Sequence, residues 1–200
     1  MKVNVVLAGV GGQGIVTMAR LFAAAALRDG LYVVQGELHG MSQRGGTVQA
    51  QLRFSDKPIE SPQVPKGRAD LIIAVEPLEA LRSADWLHPG GHVIAAMKPF
   101  DNITNYPPIE EVHGALRKIP TCMLVDASGI AKQAGSMRSM NFAVAGAAMH
   151  FLPMSADSMR AVILEKAARW TERDRDAAIA ALNAGLALET GEPDSIASSV

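Results

Sequence analysis

The stretch GVGGQG at residues 9–14 decides the fold, because it stands between two patterns of different period. Residues 3–8 form a nearly continuous apolar run, which is typical of a strand buried on both faces of a sheet. In residues 15–28, Met18, Leu21 and Ala25 recur at helical spacing. A strand, a glycine turn and a helix in this order predict a Rossmann-like α/β domain.

The glycines of this stretch, called the glycine loop below, match the spacing G-x-G-x-x-G. In that pattern the backbone approaches a phosphate at the positive N-terminus of a helix. The alternative is that the glycines only permit a tight turn and close packing. We predict that the loop faces an anion, with the candidate binding residues Gly9, Gly11, Gly12, Gln13 and Gly14.

A second candidate site, ELHGMSQRGG at residues 37–46, follows a strand predicted at residues 31–34. A dinucleotide-binding domain should continue into a helix here, but this segment is polar and lacks an apolar period. Arg44 could pair with a phosphate or carboxylate, and His39 could exchange a proton. The alternative is a loop whose charges form salt bridges at a subunit contact. The candidate residues are Glu37, His39, Ser42, Gln43, Arg44, Gly45 and Gly46.

The next segment predicts that the sheet is mixed. Residues 47–54 alternate, with Val48, Ala50, Leu52 and Phe54 on one face and polar residues on the other, as in a half-buried strand. Further strands are predicted at residues 71–75, 92–97 and 122–125, with helices at residues 78–87 and 109–118 between them. The pattern indicates a largely parallel sheet with an antiparallel member.

We predict a single domain over residues 1–200, with three layers and a helical C-terminal third. Residues 1–126 hold the α/β sheet part, residues 127–190 are helical and residues 191–200 are a polar tail. Residues 140–152 are small and apolar on nearly every face, which predicts a buried helix. Ser155 is expected to cap the helix that follows.

Composition limits the classes of function. The chain has 19 basic and 20 acidic residues, and this balance provides no electrostatic footprint for nucleic acid or an anionic membrane. Cys122 is the only cysteine, which excludes an internal disulfide and a cysteine-ligated iron–sulfur cluster held by this chain. The first residues enter a strand instead of a signal peptide, and no apolar run approaches the roughly 20 residues that span a bilayer. We therefore expect a cytoplasmic location.

No catalytic or metal site is predicted. His88 and His92 are four residues apart, but Pro89 and two glycines between them break any helix that would align them as ligands. Ser128 lacks the preceding glycine of a G-x-S-x-G nucleophile elbow, and helix capping by Asp126 or Ser128 is the better explanation.

The glycine loop and the segment HGMSQRGG at residues 39–46 together resemble the gamma domain of the 2-oxoacid:ferredoxin oxidoreductases, in particular the beta subunit of the indolepyruvate type. The stretch AVEPLEALR at residues 74–82 and the small-residue helix through Asn141 and Gly146 to Pro153 are also similar to this family. The HGMSQR segment is closer to the indolepyruvate type than to the shorter PEVRGG form of pyruvate and oxoglutarate members. The resemblance covers nearly the whole chain.

The resemblance implies an accessory subunit without catalytic residues of its own. A larger partner would carry thiamine diphosphate and iron–sulfur clusters, and the complex would oxidatively decarboxylate an arylpyruvate with coenzyme A and pass electrons to ferredoxin. Both loops would face the partner's cofactor region, where Arg44 and the glycine amides are candidates for anchoring a coenzyme A phosphate. Homo-oligomerisation remains open. The alternatives are a stand-alone NAD(P)- or FAD-binding oxidoreductase, with Glu37 on the ribose, and a structural subunit without ligand.

Overall fold

The computed structural model describes residues 1–39, 46–100 and 105–189. The strands are β1 (Lys2–Val10), β2 (Tyr32–His39), β3 (Thr47–Ser55), β4 (Ala69–Ala74), β5 (Leu87–Ala96) and β6 (Cys122–Val125). The helices are α1 (Ile15–Arg28), α2 (Pro77–Arg82), α3 (Ile109–Leu116), α4 (Ala127–Gln133), α5 (Met140–Ala148), α6 (Ala156–Lys166) and α7 (Glu172–Leu186). None of the helices in these ranges is long and apolar enough to cross a bilayer.

The six strands form one mixed sheet in the order β2-β3-β1-β4-β5-β6. Strand β3 runs antiparallel to both neighbours, whereas β1, β4, β5 and β6 pair in parallel. This confirms the predicted sheet with its antiparallel member. The next described strand after β2 is β3, and the two pair directly.

Two cores on opposite faces of the sheet confirm the three layers. Val5 and Leu7 of β1 belong to a cluster with buried residues of α1, α5, α6 and α7. Val6 and Ala8 belong to a second cluster with α2 and α3. Because successive side chains of a strand point to opposite faces, a continuous apolar strand can supply both cores.

The polar face of β3 is buried beyond Thr47, so the prediction of a half-buried strand was wrong there. Gln49, Gln51 and Arg53 are only 7%, 3% and 8% exposed. The Val64 N–H donates to Gln51 Oε1 at 2.8 Å, and Arg53 Nη1 donates to the Ser61 carbonyl at 2.8 Å. The segment before β4 thus provides hydrogen-bond partners for Gln51 and Arg53, and Gln49 donates to the Ser83 hydroxyl. These hydrogen bonds offset the cost of burying the polar groups.

Strands β2 and β5 extend well beyond their predicted bounds. Strand β2 continues to His39, because Glu37 and His39 pair with Ala50 and Val48 of β3. Strand β5 begins at Leu87, so the segment PGG at residues 89–91 lies within a strand and does not end the preceding helix. That helix ends earlier, at Arg82.

The helical C-terminal third is confirmed, and glycines allow its helices to pack closely. Helix α5 is buried, as predicted, and a Cβ on Gly146 would overlap the Leu182 carbonyl of α7. A Cβ on Gly185 would in turn overlap the Ala143 carbonyl of α5. Ser155 caps α6 through the Ser158 N–H, as expected.

Candidate functional site

The glycine loop turns sharply at the carboxyl end of β1, and its geometry requires glycine. Gly12 and Gly14 have φ values of 98° and 78°, in the left-handed region that favours glycine. A Cβ on Gly9 would lie 2.7 Å from Ile15 Cδ1 and 2.8 Å from Val75 Cγ2. The tight turn and close packing that we gave as the alternative explanation therefore account for Gly9, Gly12 and Gly14.

Gln13 holds the loop in shape. Its Oε1 accepts a hydrogen bond from the Val10 N–H at 2.6 Å, and its Nε2 donates to the Val75 carbonyl at 3.4 Å. Asn141 Nδ2 of α5 donates to the Gln13 carbonyl at 2.6 Å. The loop is thus tied to its own strand, to the end of β4 and to a helix of the C-terminal third.

The structure brings the end of the second loop against the first. The Gly11 N–H donates to the Gly46 carbonyl at 2.9 Å. Of the other residues predicted in the second loop, Ser42, Gln43, Arg44 and Gly45 lie outside the described residues, as do the side chains of Glu37 and His39. The backbone of Glu37 and His39 belongs to β2.

The sheet order separates Glu37 from the glycine loop. Strand β3 lies between β2 and β1, so the two strands are about 10 Å apart at the usual strand spacing. In the dinucleotide pattern the ribose-binding acid follows a strand of the same βαβ unit as the glycines. The inserted strand therefore counts against a dinucleotide bound by the glycine loop and Glu37 together.

A cavity of about 290 Å³ opens at the carboxyl ends of β1, β4 and β5. Here β1 leads to α1 on one face of the sheet, whereas β4 leads to α2 on the other face. Open α/β sheets bind ligands at such a topological switch point. We call it the switch-point cavity; its polar lining residues are Gln13, Lys98, Ser128, Arg138 and Asn141.

Lys98 and Arg138 make the rim of this cavity cationic, and the sequence analysis missed both. Lys98 follows β5, and its position after a parallel strand could have identified it as a candidate ligand-binding residue. Arg138 lies between α4 and α5, and no pattern in the sequence indicates that it reaches the cavity. Two cations beside main-chain amides favour an anionic ligand.

Asp126 supplies a negative charge that interacts with Lys98 at this rim. Burial opposes its ionisation, but hydrogen bonds from the Gly129 N–H and the Ser128 hydroxyl, together with the Lys98 charge, hold its pKa below the ordinary value. The hydrogen bond from Gly129 also caps α4. The Ser128 hydroxyl therefore donates to the carboxylate that caps α4, in agreement with the predicted capping role.

Glu76 and Glu79 form a second polar cluster that the sequence analysis did not single out. Both are completely buried at the start of α2, where Glu76 accepts from the Glu79 N–H at 2.9 Å and from the Tyr106 hydroxyl at 2.6 Å. Burial, followed by the hydrogen bond to Glu76, raises the pKa of Tyr106. Arg82 pairs with Glu79 Oε1 at 2.6 Å. These contacts cap the start of α2 and join it to Tyr106, in the segment before α3.

The donor groups do not fit an iron–sulfur cluster on this chain. Burial raises the pKa of the Cys122 thiol to about 12, so the thiolate that binds a metal is scarce at neutral pH. Within residues 1–39, 46–100 and 105–189, no group of three His, Cys, Asp or Glu side chains could hold a metal ion. His92 stacks on Phe151, and a ring nitrogen of His113 lies 2.7 Å from the Met97 carbonyl.

Comparison with known proteins places this geometry in a family. The family described as pyruvate ferredoxin/flavodoxin oxidoreductase matches residues 4–188. The chain is 43% identical over 153 residues to the indolepyruvate oxidoreductase subunit IorB of Archaeoglobus fulgidus, covering 73% of this chain and 75% of the relative.

Solved structures share the fold. A 2-oxoglutarate:ferredoxin oxidoreductase from Magnetococcus marinus, with 2-oxoglutarate, coenzyme A and succinyl-CoA bound, matches 96% of this chain at a TM-score of 0.75 and 22% identity. This chain spans 32% of that longer one. The gamma subunit of a keto/oxoacid ferredoxin oxidoreductase from Geobacter sulfurreducens gives a TM-score of 0.66 at 22% identity, over 92% of this chain and 95% of the subunit. Given its match over residues 4–188, the chain belongs to the pyruvate ferredoxin/flavodoxin oxidoreductase family.

Proposed function

We propose that this chain is the smaller, accessory subunit of an indolepyruvate- or arylpyruvate:ferredoxin oxidoreductase. The observation that carries the proposal is its 43% identity to the archaeal indolepyruvate oxidoreductase subunit. The complex would convert the 2-oxoacid and coenzyme A into an acyl-CoA and carbon dioxide and pass the electrons to ferredoxin. The proposed setting is the cytoplasm.

The proposed division of labour assigns thiamine diphosphate and the iron–sulfur clusters to a larger partner subunit. Cys122 is a single, partly buried thiol with a raised pKa, whereas a cluster needs about four thiolates. The described histidines are engaged elsewhere, for example His92 with Phe151. The side chains of this chain therefore support binding and positioning rather than redox chemistry.

We assign to this chain an anion-binding site at the carboxyl edge of its sheet, where it would contact coenzyme A. Coenzyme A supplies the thiol that accepts the acyl group. Lys98 and Arg138 provide positive charge at the switch-point cavity. The glycine loop and Gly46, the last residue of the second loop, lie side by side, because the Gly11 N–H donates to the Gly46 carbonyl. Cations and main-chain amides of this kind recognise phosphate.

Reconstitution tests the assignment. The full chain is purified together with its larger partner, and arylpyruvate- and coenzyme A-dependent dye reduction is measured for the complex and for the partner alone. We expect activity only in the complex, with thiamine diphosphate and iron in the co-purified material. Full activity of the partner alone, or failure to form a stable complex, would refute the proposal.

Point variants test the anion-binding edge in that complex. Replacing the exposed residue Lys98 by Gln should raise KM for coenzyme A about tenfold, since a charge-assisted contact is worth about 1.5–3 kcal/mol. Arg44→Ala is expected to act in the same direction. KM for the arylpyruvate should not change, and Lys57→Gln, at the opposite end of β3, serves as the matched control. If Arg44→Ala reduced assembly while coenzyme A dependence stayed unchanged, the loop would be a structural contact instead.

Calorimetric titration of the chain with NAD, NADP and FAD tests the stand-alone alternative. We expect none of the three to bind, because β3 lies between β1 and β2. Micromolar affinity for any of the three would favour a dinucleotide-dependent enzyme over an accessory subunit.

A further inference from the structure

A second cavity, of about 180 Å³, lies between α1 and α5 next to Gly14. Its walls are mainly apolar and include Met18, Leu21, Phe142 and Met159. An apolar cavity of about 150 Å³ can hold a benzene molecule, so this one has room for a single aromatic ring. Methionine side chains adapt readily to such a ring.

Trp170 provides an aromatic surface in the lining of this cavity. It is 40% exposed, and its ring meets Phe142 edge-on with 6.0 Å between the centroids. Aromatic pairs prefer this edge-to-face arrangement, which a bound ring could extend. The mixture of aromatic and thioether groups favours a planar aromatic ligand over a branched aliphatic one.

The polar end of the cavity carries a cation, Arg138, which is paired with Asp174. Arg138 lines it with a side chain that is 86% exposed, and its only hydrogen bond to a described residue joins Nη1 to Asp174 Oδ2 at 3.3 Å. That distance is longer than the 2.7–2.9 Å or so usual for a charge-assisted bond, so the guanidinium can turn towards another anion. Gly14 begins α1 without a side-chain cap, which leaves the positive end of the helix open on the same side.

We propose that this cavity binds a small aromatic monocarboxylate, with the ring against Trp170 and the methionines and the carboxylate at Arg138. The described residues of the lining include no carboxylic acid that would repel the ligand and no histidine or cysteine that would act on it. These residues therefore favour binding of the ligand over its conversion. The proposal stands on the cavity alone and does not require that the proposed oxidoreductase function be correct.

The chain itself contains a reporter for the test. It has two tryptophans, Trp86 and Trp170, so the Trp86→Phe variant leaves Trp170 as the only indole. Phenylacetate is titrated into this full-length variant while its fluorescence is excited at a wavelength that phenylacetate does not absorb. We expect a saturable change, and about tenfold weaker binding when Arg138→Gln is added, because a charge-assisted contact is lost. Adding Lys132→Gln, an exposed cation outside the cavity lining, should leave the affinity unchanged.

Two further ligands test the aromatic part and the cationic part of the site separately. The neutral analogue 2-phenylethanol should bind at least about tenfold more weakly than phenylacetate, and acetate should not bind detectably in the same range, because each lacks one half of the ligand. A non-saturating response to phenylacetate with the fold intact by circular dichroism would overturn the proposal. Equal affinity for phenylacetate and either analogue, or an affinity unaffected by Arg138→Gln, would overturn it as well.

Discussion

The glycine loop and the α4–α5 junction, residues 134–139, border the same switch-point cavity but are held in different ways. The loop is tied by short hydrogen bonds from Val10 and Asn141 and by the close approach of Gly9 to Val75. At the junction, Arg138 is 86% exposed and has one long ion pair with Asp174. One side of the cavity is therefore a rigid support, and the other carries a cation that can adjust to a ligand.

The largest expected effect on stability comes from a substitution that forces α5 and α7 apart. Helix α5 carries Asn141, which binds the glycine loop. In Gly146→Ala the added Cβ meets the backbone of α7, which cannot move aside as the end of a flexible side chain can. We expect a loss of about 3 kcal/mol in the free energy of unfolding, at the upper end for overpacking. Urea unfolding followed by circular dichroism measures it.

Gly114→Ala is the matched control. A Cβ at Gly114 of α3 meets no atom within 4 Å, so this change should stabilise the chain by about 0.5–1 kcal/mol through helix propensity. Equal effects of the two substitutions would show that the contact between α5 and α7 is not tight.

Asn141→Ala should destabilise the glycine-loop side of the cavity less than Gly146→Ala does. It removes the hydrogen bond to the part-buried Gln13 carbonyl, and we expect a cost of about 1–2 kcal/mol. Asn183→Ala, at an exposed asparagine of α7, should cost less than about 0.5 kcal/mol in the same urea titration. A cost no greater than that of the control would mean that the loop keeps its shape without Asn141.

The pH dependence of stability tests the side of the cavity that carries Arg138, through its ion-pair partner Asp174. Hydrogen bonds from Ser136 and Thr171 hold the pKa of Asp174 below its ordinary value. A carboxylate whose pKa is depressed in the folded state stabilises it above the unfolded pKa of about 3.9, and this contribution is lost as the pH falls through the folded pKa. Asp174→Asn should therefore lower Tm relative to wild type near pH 7, and the difference should shrink below about pH 4. A difference that is independent of pH would contradict this.

The smallest expected effect is that of Arg138→Gln on stability. An exposed ion pair contributes little, so the free energy of unfolding should change by less than about 0.5 kcal/mol. A loss of 2 kcal/mol or more would place Arg138 on the rigid side of the cavity and remove the contrast with the glycine loop.

The segments that were predicted wrongly share one physical cause. Their burial or pairing depends on residues that are distant in sequence. Gln51 and Arg53 alternate with apolar residues as in an exposed face, yet backbone groups at Ser61 and Val64 bind them and bury them. Glu37 and His39 have no apolar period, yet pairing with β3 keeps them in a strand. Local periodicity carries no information about such partners.

The sequence by itself determined the strand–glycine–helix unit, the order of most elements and the buried helix α5, because glycine conformation and apolar period are local properties. It also determined that one cysteine cannot hold a cluster. Only the tertiary structure decided that β3 separates β2 from β1 and that Lys98 and Arg138 share a cavity. These features depend on which distant segments pack together, and packing is settled by the whole core rather than by any one stretch of the chain.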